Sequence, residues 1–95
     1  MRRRYVISYD VANDKRRAKI FELLLGYGDH VQFSVFLADL TKRELIVFRT
    51  RVRELMHEGE DQCLILDLGR ESRPLQSTLE VIGKPYRPAV RTMIV

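Results

Sequence analysis

The chain has 95 residues, 45% hydrophobic and 32% charged, which makes one small domain with a single modest core. It carries a formal net charge of +4, from 17 Lys and Arg against 13 Asp and Glu. No apolar run approaches membrane-spanning length, and Cys63, the single cysteine, excludes an internal disulfide and a thiolate metal site. A cytoplasmic setting without a secretory leader is expected, because Arg2, Arg3 and Arg4 lead straight into a strand pattern that holds Asp10. Thirteen of the cations are Arg, whose planar fork grips phosphate in a bidentate way. This excess suits a nucleic-acid partner, and equally suits ion-pair networks on a stable surface.

The run YVISY, residues 5–9, predicts a strand with Tyr5, Ile7 and Tyr9 on one face and Val6, Ser8 and Asp10 on the other. Asp10 closes it. A carboxylate there either bonds the backbone of the Val11–Ala12–Asn13 turn or serves as a hard oxygen ligand for Mg²⁺. Both readings stay open on spacing alone, and two copies meeting across a dimer axis would make a better metal site than one. A helix starts at Asn13 or Asp14, turns Ile20, Phe21, Leu24 and Leu25 inward, and closes at Gly26 and Gly28. Lys15, Arg16 and Arg17 fall in its first turn, where cations are unfavourable without an anion nearby: a phosphate, or Asp14.

Residues 30–40, HVQFSVFLADL, alternate, with Val31, Phe33, Val35 and Leu37 on one face. No Gly or Pro interrupts them. They form either one strand of a three-stranded βαβαβ core or two short strands of a βαββαβ core. Thr41 and Glu44 make a capping box for a second helix with the stripe Leu45, Phe48, Val52, Leu55 and Met56, ended by Gly59. Arg49, Arg51 and Arg53 spread around that helix and are expected to be solvated or paired with Glu54 or Glu58. His57 reads as a C-terminal cation of the helix and His30 as a surface group. QCLILDL, residues 62–68, predicts a strand buried on both faces, and STLEVIG, residues 77–83, a further short strand. Beyond Pro85 and Pro88, TMIV at 92–95 is expected to join a sheet edge, favourably that of a second copy. Two helices on one face of such a sheet make an α+β domain. No phosphate-binding glycine loop, nucleophile elbow or Ser–His–Asp grouping occurs, so any chemistry is expected to be metal-assisted.

YVISYDV, NDKRRAKIFELL and VQFSVF, followed by a capped helix, resemble the CRISPR-associated protein 2 family over roughly residues 4–82. The resemblance implies a ferredoxin-like core over residues 1–82, divided near Phe33 and Ser34. It also implies a tail over 83–95 exchanged between the sheets of a homodimer. It implies that Asp10 from each protomer holds Mg²⁺ across the interface, with Tyr9 and Arg17 in the catalytic group. It places Ser34 and Phe36 at the cleft or dimer contact, and Arg16, Arg17, Lys19 and His30 against nucleic acid. His30 departs from the Arg that relatives often carry. Two functions follow from the resemblance. One is a Mg²⁺-dependent endonuclease of antiviral defence, acting on single-stranded RNA or duplex DNA. The other is a non-catalytic adaptor in spacer acquisition, which holds duplex DNA and bridges copies of the integrase CRISPR-associated protein 1. A small-molecule regulatory module is a third reading that needs no resemblance.

Overall fold

A computed structural model describes residues 1–70 and 74–86. In chain order these form β1 (Arg3–Asp10), α1 (Asp14–Leu25), β2 (Asp29–Gln32), β3 (Val35–Leu40), α2 (Lys42–Leu55) and β4 (Gln62–Arg70), then a short 3₁₀ turn over Leu75–Ser77. The strands lie in the order β2-β3-β1-β4, and each neighbouring pair is antiparallel. This is the ferredoxin-like βαββαβ arrangement rather than the three-stranded alternative.

Strand pairing sorts the side chains into two faces. On one, Tyr5, Ile7 and Tyr9 of β1 join Phe36, Ala38 and Leu40 of β3 under Ile20, Leu24, Leu45, Phe48 and Val52 of the helices. Each helix begins on a side-chain cap. Asn13 accepts from the Arg16 N–H, and Thr41 and Glu44 form the reciprocal box. On the other face, Val6 pairs with Leu37 and Leu66, and Ser8 with Val35 and Leu64. Among the described residues no helix covers that face.

Several expectations are corrected. The face of the hairpin that enters the core is Phe36, Ala38 and Leu40, while Val35 and Leu37 lie on the open face and Phe33 is exposed in the turn. The turn at Phe33–Ser34 and a pairing irregularity at Val31 break the period assumed across it. β4 is not buried on both faces: Leu64 and Leu66 are 57% and 59% exposed, because the helices cover one side only. STLEVIG is no strand. The Ser77 hydroxyl donates to the Pro74 carbonyl at 2.7 Å, and the Leu79 N–H turns back to the Leu75 carbonyl. Such local bonds compete with a ladder. α2 ends at Leu55, with Met56 as its cap, four residues before Gly59. TMIV lies outside the described residues.

Candidate active site at the end of the central strand

Asp10 is the last residue of β1, on the open face, paired in register with Gln62 of β4. Its carboxylate is exposed and makes no hydrogen bond or ion pair among the described residues. The turn that follows is held by a different carboxylate. Asp61 accepts the Ala12 N–H at 2.9 Å and the His57 N–H at 2.9 Å, and its side chain has no exposed surface. The turn role considered for Asp10 is therefore performed by Asp61, and Asp10 is left free to bind.

Asp61 also claims Arg16, whose Nε donates at 2.8 Å while Nη2 reaches Asp61 and Glu60, each at 3.2 Å. Arg16 thus ties α1 to the loop before β4, and its bonds to a buried carboxylate make it a positioning group. The Arg16 bonds, with those from the two backbone amides, hold the Asp61 carboxyl far below the usual carboxylate range. Arg17 takes the other side of the loop. Its Nε donates to the Val11 carbonyl at 3.2 Å and its Nη1 to Asp14 at 2.8 Å, and its side chain stays 47% exposed. Tyr9 points to the helix side of the sheet, opposite to Asp10. Burial pushes its phenol up while the charge of Arg17 pulls it back, so the two share one corner.

The Tyr9 N–H donates to the Ser34 carbonyl at 3.2 Å, which fastens the β2–β3 turn to the strand end that carries Asp10. Phe36 is 0% exposed and packs on Tyr9, Phe21 and His30. A ring that buried shapes the corner from inside, behind the strand end that carries Asp10. His30 stands edge-on to Phe21, with ring centres 5.0 Å apart, and its Nε2 contacts the Phe33 carbonyl. Lys19 is exposed and without a partner among the described residues.

The cations divide into two groups. Arg2, Arg3 and Arg4 are engaged with Glu44, Asp67 and Asp39. Arg49, Arg51 and Arg53 make no ion pair among the described residues, so the pairing expected with Glu54 or Glu58 is absent and solvation holds. His57 lies past the end of α2, where its Nδ1 faces the Gly59 N–H at 3.2 Å. Burial pushes the Cys63 thiol up to about 11, which leaves little thiolate at neutral pH.

A divalent ion finds one hard oxygen ligand here. Among the described residues no three His, Cys, Asp or Glu side chains gather. Asp10 suits Mg²⁺ chemically, since that ion keeps most of its waters and takes few protein ligands.

Residues 1–74 match the family described as CRISPR associated protein Cas2. The chain belongs to the Cas2 family. It is 32% identical over 91 residues to a Geobacter sulfurreducens protein named CRISPR-associated endoribonuclease Cas2, spanning 96% of this chain and 95% of that one. A crystal structure of a hypothetical protein from Thermus thermophilus superposes with a TM-score of 0.78 at 35% identity, over 94% of this chain and 100% of that one. The crystal structure of Streptococcus pyogenes Cas2 gives 0.73 at 27% identity, over 84% and 99%. Among the described residues no helix is long and apolar enough to cross a membrane. The member of this Cas2 corner that spacing missed is Asp61. The signal that could have found it is the acidic pair Glu60–Asp61 directly before an apolar strand, facing an Arg-bearing helix start.

Proposed function

We propose that this Cas2 family member is a Mg²⁺-dependent endoribonuclease of CRISPR defence that works as a homodimer. The observation that carries the reading is the exposed, unpartnered Asp10 carboxylate at the edge of an uncovered apolar sheet face. The endoribonuclease name of the Geobacter relative supports RNA as the substrate class.

Val6, Leu37 and Leu66, with Val35 and Leu64 in the next row, form a surface that a second copy would cover by two-fold contact. Such a dimer would bring Asp10 near the partner's Asp10, and the two carboxylates would hold Mg²⁺. When bound, Mg²⁺ would supply positive charge to the phosphodiester and a water of lowered pKa. The chain's own groups orient the substrate. Arg17, braced by Val11 and Asp14, presents its remaining N–H groups to phosphate, and exposed Lys19 adds charge along the same helix. Asp61 and Arg16 keep the Asp10 loop in place. Tyr9, held as a neutral phenol, packs behind Arg17.

A second reading rests on the single carboxylate per chain. As a non-catalytic adaptor, the dimer would hold duplex DNA between integrase subunits and Asp10 would not matter. The test incubates wild-type protein and an Asp10→Ala variant with labelled single-stranded RNA and with duplex DNA, in Mg²⁺ or EDTA. Mg²⁺-dependent RNA cleavage reduced about 100-fold or more by the substitution, with binding retained, is the expected result. Equal binding of duplex DNA by both forms with no cleavage by either would establish the adaptor reading instead.

A further inference from the structure

Phe33 is 91% exposed, more than any other large hydrophobic side chain among the described residues. It is also the one non-glycine residue among them with a positive φ, at 36°. It opens the two-residue link between Gln32 and Val35, a place where hairpins favour Gly, Asn or Asp because other side chains strain the left-handed region. Folding does not explain the choice, since the ring buries almost nothing. Strain of this kind persists where surrounding structure holds it, and often marks a working position. The surroundings do hold it. His30, wedged beside Phe21 and Phe36, contacts the Phe33 carbonyl, and the next carbonyl, of Ser34, accepts from Tyr9. The exposed ring is thereby anchored one residue from Ser34, as Asp10 stands one residue from Tyr9.

We propose that Phe33 is a stacking platform for an unpaired base of the nucleic acid whose phosphodiester lies at Asp10. The inference rests on the nuclease reading above and deepens it. A phenyl ring stacks on the face of any base, so it grips without reading sequence, and a duplex interior offers it no free face. The substrate class is therefore single-stranded nucleic acid, or an unpaired nucleotide beside the scissile bond.

The chain contains no tryptophan, so an F33W variant carries the protein's single indole at the proposed contact. Wild type, F33W, F33L and F33G would be titrated with oligoadenylate RNA and with a blunt RNA duplex, and their oligomeric state followed by sedimentation. F33L and F33G should bind the single strand roughly ten- to a hundredfold more weakly, with duplex binding unchanged. F33W should bind like wild type, with its emission quenched by the single strand and not by the duplex. F33G, freed of strain, should melt roughly a few degrees higher than wild type. Unchanged RNA binding by F33L would overturn the stacking role while leaving the nuclease reading intact. An equal loss on duplex, or a changed oligomeric state in F33L, would overturn it too, the latter by placing the ring against a second copy. Wild type that binds no RNA at all would overturn both readings together.

Discussion

Asp61 accepts four hydrogen bonds, two on each carboxylate oxygen: Ala12 N–H and Arg16 Nη2 on Oδ1, and His57 N–H and Arg16 Nε on Oδ2. It joins the loop after β1 to the loop before β4, and so fixes the backbone on which Asp10 stands. Its folded pKa lies below the ordinary 3.8, as do those of Glu44 and Asp67 relative to their own ordinary values. A depressed carboxylate adds stability that is fully present above its unfolded value and lost as pH falls toward the folded one. Thermal midpoints should therefore decline from pH 5 toward pH 2. An Asp61→Asn variant should melt lower than wild type at pH 6, by an amount that shrinks in acid. Identical melting of the two proteins at both ends would show that the cluster does not stabilise the fold. Asp10 was legible as a residue from its place at a strand end, but its freedom was not. That freedom depends on a carboxylate 51 positions away taking over the turn, a tertiary fact that no local pattern carries.

At the scale of elements, legibility followed local chemistry. The capping box at Thr41 and Glu44 was readable because both bonds lie within four residues. The structure contains them at 3.1 Å from the Glu44 N–H to Oγ1 and 2.8 Å from the Thr41 N–H to the Glu44 carboxylate. A Thr41→Ala change should lower unfolding free energy by about 1 kcal/mol in urea titrations. The β2–β3 hairpin was not readable from turn chemistry, since Phe33 occupies a glycine-like conformation and leaves no Gly or Pro to mark the bend. Gly28 was read as a helix terminator, and its larger duty is spatial. A Cβ there would collide with the Leu37 carbonyl oxygen and approach Ala38 Cβ at 2.9 Å, so the chain can pass from α1 to β2 across β3 only without a side chain. Gly28→Ala should cost about 1–3 kcal/mol, read from the same titrations. A cost near zero would mean that β3 moves aside freely.

For the whole molecule, the run QCLILDL shows how far composition reaches. It is apolar toward both faces, and the helices account for one, so the sequence alone suggested double burial where one chain provides a single cover. If a second copy supplies the other, a Leu64→Glu and Leu66→Glu double change should give monomers by sedimentation and abolish Mg²⁺-dependent cleavage, with helical content intact. A dimer that survives the change would place the interface elsewhere. The strand order has a consequence in time as well. β1 precedes both of its sheet neighbours in the chain and lies between them, β3 and β4. Its second neighbour is complete only at Arg70, sixty residues after Asp10. At about 5–20 residues per second, the nascent β1 waits roughly 1.5–6 s between the completion of β3 at Leu40 and of β4 at Arg70 with one edge unpaired. During that interval the newborn chain offers a ready partner to any other strand nearby, and translation speed over residues 41–70 becomes a determinant of yield.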